Sequence, residues 1–187
     1  MTAASTSLPS ASLPSPTLQR WHRFNRLPFG RALFSRLIGF VVPYSGSIDA
    51  RVVSLDPGFA EIRMADRHRL RNHLRSLHAV ALTNLAEMTG NLALMSRQPA
   101  KGARWIVTGF DSTYLKKARG PITASCAVDD LDWTTPREIE GRIELRDAAG
   151  ELVMIGRPRW RIGPAQSPGP VAARSETPLT GRGSAST

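Results

Sequence analysis

The chain has 187 residues, 41% of them hydrophobic and 21% charged, and its 25 Lys and Arg outnumber 15 Asp and Glu for a net charge of +10. This balance fits a soluble globular protein of one ordinary domain with tails, long enough to bury a sizeable core. The single Cys126 excludes an internal disulfide and a cysteine-rich zinc site, and the four histidines lack the paired spacing of a metal helix, so no metal is expected.

The basic charge is spread along the chain rather than massed in one run, and aromatics are only 6%. A basic solvated surface is therefore expected, without a dedicated nucleic-acid site. Residues 1–17 are Ser, Pro, Ala, Thr and Leu with no charge, and read as a disordered tail. They lack the positive start and continuous apolar run of a secretory signal, so a cytoplasmic location is expected. Residues 18–162 form the single domain, and residues 163–187, rich in Pro, Gly, Ser and Ala, form a second tail.

Within residues 18–44, Trp21, Phe24 and Leu27, then Leu33, Phe34, Leu37 and Ile38, recur at helical spacing with arginines between them. Pro28-Phe29-Gly30 splits this stretch into two short helices. Their apolar face is expected to pack on the domain; a membrane surface is the alternative for a basic amphipathic helix. Residues 47–55 alternate as a strand, Asp56-Pro57-Gly58 turns, and residues 59–64 return, which predicts a hairpin.

Residues 71–95 hold the longest periodic segment. From Ser76 to Met95 there is no Pro and one Gly, and Leu77, Ala81, Leu85, Met88, Leu92 and Met95 recur at three- and four-residue steps. The other faces are nearly as apolar, so this helix is predicted to be buried. It is too polar and too interrupted to cross a bilayer, and no transmembrane segment is expected. Thr83, Glu87 and Asn91 share one stripe of it, and a carboxylate buried there costs several kcal/mol unless paired or neutralised.

Four more strands follow, over residues 104–114, 121–130, 137–146 and 151–161. In the second, alternation places Cys126 on the apolar face as an inert thiol. The third alternates most clearly, Ile139, Gly141, Ile143 and Leu145 against charged residues, as in an antiparallel sheet with one wet face. In the last, Pro158 predicts an edge or a bulge. The order is helices, two strands, one long buried helix and four strands, an α+β domain.

That order, with Asn72, His78 and Glu87 in the spacing Asn-x5-His-x8-Glu, resembles the hot-dog fold. It is most similar to the phenylacetate-pathway thioesterase-like branch of acyl-coenzyme A thioesterases. The segment from Phe110 to Gly120, with Tyr114-Leu115 at its centre, resembles a strand and turn of that branch. Pro43-Tyr44-Ser45 and Arg71-Asn72-His73 resemble an uncharacterised hot-dog subfamily more closely still. The resemblance spans roughly residues 33–161. It implies a curved antiparallel sheet wrapped around a long buried central helix, preceded by an N-terminal helical segment. It also implies a homodimer, possibly a tetramer, with sites at the subunit interface.

Carried over by residue, the resemblance makes Glu87 the general base or nucleophile of thioester hydrolysis, and makes Asn72 and His78 the groups that bind or orient the thioester. The substrate would be an acyl-CoA or another acyl thioester, with coenzyme A entering as part of the substrate and no separate cofactor. One departure stands out: the branch has His-Gly-Gly where this chain has His78-Ala79-Val80. The Ala79 amide still lies at the positive end of a helix dipole, but an added methyl group crowds the approach of a carbonyl. The alternative is therefore a non-catalytic hot-dog module that binds acyl-CoA or acyl-carrier protein.

The chemistry requires a base for water and donors for the oxyanion. Ala79 and Thr83 are expected beside the substrate, Leu77 and Met88 along an acyl tunnel, and Thr108 from the partner subunit. Lys116, Lys117 and Arg119 are candidates for the coenzyme A phosphates. Each has a structural alternative: Glu87 bonded to Asn91 or to a sheet amide, His78 as a helix cap, Asn72 as a turn residue, and the lysines as a solvated turn.

Overall fold

The computed structural model describes residues 15–99 and 101–165. The helices are α1 (Pro16–Asn25), α2 (Gly30–Val41), α3 (Pro43–Gly46) and α4 (Ala79–Arg97). The strands are β1 (Arg51–Asp56), β2 (Phe59–Met64), β3 (Ala103–Tyr114), β4 (Ile122–Ala127), β5 (Arg137–Glu140), β6 (Ile143–Arg146) and β7 (Leu152–Pro164). Helix α1 takes in Pro16 and Thr17, and β7 takes in Gly163 and Pro164, all assigned to the tails from sequence. Residues 1–14 and 166–187 of the expected tails lie outside the described residues.

Helix α4 is the axis of the molecule. Twelve of its nineteen residues are buried, and the others include Val80, Thr83, Glu87, Asn91 and Met95. These five recur at steps of three or four, so they form one uncovered seam along an otherwise enclosed helix. The antiparallel sheet, in the order β1-β2-β4-β6-β7-β3 with β5 also on β7, curls around α4. Core residues Leu85, Ile62, Ile122, Leu145 and Met154 are fully buried between them. Cys126 lies in this core as expected, and desolvation pushes its thiol up to about 12.

The two sheet edges are treated differently. The Val52 amide on β1 donates to Ser35 Oγ of α2 at 2.9 Å, so the N-terminal helices cover that edge. Trp21 meets Phe34 edge-on at 5.2 Å, joining α1 to α2 over the core. The expected apolar face is split: Phe34 and Ile38 point inward, whereas Leu33 and Leu37 face out with Phe40. Strand β3, twelve residues long, is the opposite edge, and its Ile106 is 63% exposed. No helix among the described residues is long and apolar enough to cross a membrane.

Besides the start of the first strand, which falls at Arg51 rather than at residue 47, two strand expectations change. Residues 137–146 are not one strand but β5 and β6, broken at Gly141 and Arg142. The break has a packing cause: a Cβ on Gly141 would lie 2.5 Å from the Trp160 ring, and the Gly141 amide donates to Pro158 O at 3.0 Å. Strand β7 is interior rather than an edge, with β3 on one side and β5 and β6 on the other. Pro158, which has no N–H to offer, stands opposite that break, and the bulge falls in β3 between Val107 and Gly109.

Candidate functional site

The segment between β2 and α4 is held at both ends. Asp66 accepts from Arg71 Nε at 2.7 Å and from the Gly120 amide at 2.9 Å, and its side chain is 11% exposed. Asn72 Oδ1 accepts from the Leu74 amide at 2.9 Å and from the amide and hydroxyl of Ser76 at 3.3 and 3.1 Å. Arg75 takes φ 54°, a left-handed turn that this web of bonds holds in place. The Leu77 and His78 amides then donate to Ala118 O and Leu70 O. Asn72 is thus a turn organiser through Oδ1, while its Nδ2 has no partner among the described residues.

The hydrogen bond from Arg71 and the Gly120 amide hold the Asp66 carboxyl below its ordinary range. A lowered folded-state pKa adds stability above the unfolded value, and that stability fades as pH falls through the folded value. The melting temperature of wild type is therefore expected to exceed that of Asp66→Asn at pH 7, with the gap closing below about pH 4. Thermal melts of both proteins across pH check this; a gap that is constant with pH would remove the charge from the account.

His78 occupies the N-cap of α4 with φ −68° and ψ 138°, and its Nδ1 accepts from the Val80 amide at 3.2 Å. With Nδ1 accepting, the neutral ring carries its proton on Nε2. The Ala81 and Leu82 amides bond back to His78 O. Among the described residues this leaves the Ala79 N–H of the first turn without a partner, at the positive end of a nineteen-residue helix.

Thr83 is tied to β3. Its hydroxyl lies 2.6 Å from Tyr114 Oη and 3.2 Å from Ser112 Oγ, and Tyr114 Oη donates to Ala79 O at 3.2 Å. Because Tyr114 spends its one proton on Ala79 O, Thr83 donates to Tyr114 and Ser112 donates to Thr83. Sequence reasoning did not assign Ser112 or this role of Tyr114. Their two-residue spacing, which puts both on one face of a strand, was the available signal.

Glu87 lies one turn further along the seam. It is half-buried rather than buried, and it makes no hydrogen bond or ion pair among the described residues. Neither structural alternative is met among the described residues: no hydrogen bond joins Glu87 to Asn91, whose Oδ1 accepts from Trp160 Nε1 at 2.9 Å, and no sheet amide reaches the carboxylate. Eight residues separate Glu87 from Ala79, about 12 Å along the helix axis.

The remaining candidates divide. Lys116 is engaged by Asp147 at 2.7 Å and by Glu151, which hold its ammonium above the ordinary range. Lys117 and Arg119 are exposed on the same turn, with no hydrogen bond or ion pair among the described residues. Thr108 Oγ1 donates to Arg159 O at 3.3 Å, on the bare edge strand. Leu77 and Met88, expected along an acyl tunnel, are buried in the core instead. The apolar groups open beside the seam are Val80, Tyr114 and Leu115, each about half exposed.

Residues 30–162 match a family model described as Domain of unknown function (DUF4442). Among solved structures, one structural-genomics protein is 29% identical with a TM-score of 0.70, over 80% of this chain and 99% of that one. A Pseudomonas aeruginosa protein of unknown function, described as a probable thioesterase, is 21% identical with a TM-score of 0.64, over 74% of this chain and 97% of that one. The PaaI protein of the E. coli phenylacetic acid degradation operon is 17% identical with a TM-score of 0.57, over 78% and 91%. Comparison with curated proteins gives no match. These likenesses show the hot-dog fold for the helix and sheet described above.

Proposed function

The chain belongs to the DUF4442 family and has the hot-dog fold, and on that premise we propose that it hydrolyses an acyl thioester, with Glu87 as the base and an acyl-CoA as the substrate. The observation that carries this reading is Glu87 itself, a half-buried carboxylate on the uncovered seam of the central helix with no partner among the described residues. A carboxylate in that setting is available to take a proton from water. The resulting hydroxide attacks the thioester carbon, and the oxyanion is received by Ala79 N–H and His78 Nε2–H. Collapse of the intermediate breaks the C–S bond, and the thiolate leaves with the proton that Glu87 took.

The geometry argues for a homodimer. A water on Glu87 and an oxyanion on Ala79 must sit within a few ångströms of one carbonyl, yet the two residues are about 12 Å apart on one helix. A single seam cannot serve one thioester with both groups. Two antiparallel seams facing each other can, each giving the base to one site and the amide to the other. The bare edge of β3 and the exposed Ile106 and Val80 supply an unpaired surface for such an association. In this arrangement Lys117 and Arg119 receive phosphates of coenzyme A, and the acyl group lies against Val80, Tyr114 and Leu115. We place the reaction in the cytoplasm.

A second reading, an acyl-CoA or acyl-carrier-protein binding module without turnover, draws on Val80. Its side chain is 52% exposed beside the Ala79 amide, where it narrows the approach. Thiol release from short, long and aromatic acyl-CoAs separates the two. Wild type is expected to release thiol, and Glu87→Gln to lose about 10²–10⁴-fold in kcat with an unchanged melting temperature. Heat protection by acyl-CoA without thiol release would select the binding module, and equal turnover by Glu87→Gln would remove Glu87 from the chemistry.

A further inference from the structure

No acidic residue precedes Asp49, whereas Arg20, Arg23, Arg26, Arg31 and Arg36 do. Where this basic segment meets the sheet, a cleft of about 780 Å³ opens between the α1–α2 turn and the outer face of β1 and β2. Four arginines line it, Arg31, Arg51, Arg63 and Arg67, against a single carboxylate, Asp49, which pairs with Arg67. None of the lining residues belongs to α4 or β3, so the cleft is separate from the Glu87 seam.

The arginines are arranged in a way that folding alone does not account for. Arg51 and Arg63 are direct cross-strand partners, and in an antiparallel pair such partners project from the same face. Like charges directly opposite are destabilising, and neither guanidinium has an ion pair or hydrogen bond among the described residues. Glu61, the next residue on that face of β2, forms no ion pair with either. Arg31 is held for the site by its neighbours: Nε donates to Asn25 Oδ1 at 3.0 Å, and its guanidinium lies 6.0 Å from the centre of the Trp21 ring. The floor and lip are apolar, with Val53, Pro121, Leu27 and Phe29, the last 90% exposed.

We propose that this cleft binds a phosphate-bearing anion, clamped between Arg51 and Arg63 with Arg31 and Arg67 at its sides. Planar guanidinium forks match phosphate oxygens two at a time, and a bound phosphate turns the Arg51–Arg63 repulsion into a bridge. The phosphate has two possible sources, a soluble phosphate ester or a phospholipid headgroup. For a headgroup, the apolar lip of Leu27 and Phe29 is what the adjoining acyl chains would meet.

The test measures thermal stabilisation by inorganic pyrophosphate, and co-sedimentation with phosphatidylcholine vesicles with and without phosphatidic acid. The proteins are the full chain, Arg51→Gln, Arg63→Gln and the charge control Arg20→Gln. A saturable pyrophosphate effect that weakens about tenfold or more in both cleft variants, and survives in Arg20→Gln, supports a soluble ligand. Sedimentation only with phosphatidic acid, lost in the cleft variants alone, supports a headgroup. Arg63→Gln without ligand is expected to melt no lower than wild type, because it relieves repulsion. Absence of binding in both arms, or equal loss in Arg20→Gln, overturns the proposal.

Discussion

Co-expressed Glu87→Gln and Ala79→Pro chains are expected to recover about a quarter of wild-type thioester turnover, although each variant alone falls by about 10²-fold or more. The figure follows from the composite site. Half of the dimers are mixed, and each mixed dimer has one site with Glu87 from one chain and the Ala79 amide from the other, while its second site lacks both. Ala79→Pro is chosen because it removes a single N–H. Proline is well tolerated at the first helical position, and His78, at φ −68° and ψ 138°, already has the backbone that precedes a proline. The acceptor for Tyr114, Ala79 O, is untouched. If base and amide served one thioester from the same chain, the mixture would stay as inactive as its parts, and the two-seam arrangement would fall.

The central helix was legible because nothing tertiary is needed to see it: a long run without proline and apolar on nearly all faces has to be buried. What periodicity could not give was the side the sheet leaves open. Glu87 therefore read as a buried carboxylate, whereas α4 presents it half-buried on its seam. The fate of the stripe was equally hidden. Thr83, Glu87 and Asn91 share a spacing, yet Thr83 is bonded to β3 and Asn91 to Trp160, and of the three Glu87 alone has no partner among the described residues. Asn72 and His78 could each have been structural, and each does have a local bonding role that their sequence neighbourhood allowed: an Asx turn and an N-cap. The remaining donor of His78, Nε2–H, is what the proposed chemistry uses.

Misread strands share one cause. The split of residues 137–146 depends on Trp160 and Pro158 packing against Gly141, a contact between separate strands that alternation along one strand cannot encode. In α2, the adjacent pairs Leu33-Phe34 and Leu37-Ile38 define two apolar stripes of equal merit. Burial of Phe34 against Trp21 decides which one faces in, and leaves Leu33 and Leu37 outside.

Trp160 anchors the lower half of α4, and Trp160→Ala is expected to cost about 3–5 kcal/mol in urea unfolding. Its ring is fully buried and fills the space left by two glycines: a Cβ on Gly90 would come within 3.0 Å of it, and one on Gly141 within 2.5 Å. Its indole N–H donates to Asn91 Oδ1, so Asn91→Leu strands a buried donor and should cost about 1–3 kcal/mol. Replacing both polar partners leaves nothing stranded. The Trp160→Phe/Asn91→Leu pair is therefore expected to be less destabilised than the sum of its single changes, by about 1 kcal/mol. Strict additivity would mean that the bond contributes nothing. Thiol release per folded molecule of Asn91→Leu should match wild type, because Asn91 serves the indole while its neighbour one turn away, Glu87, serves the substrate; a loss as deep as that of Glu87→Gln would put Asn91 in the chemistry.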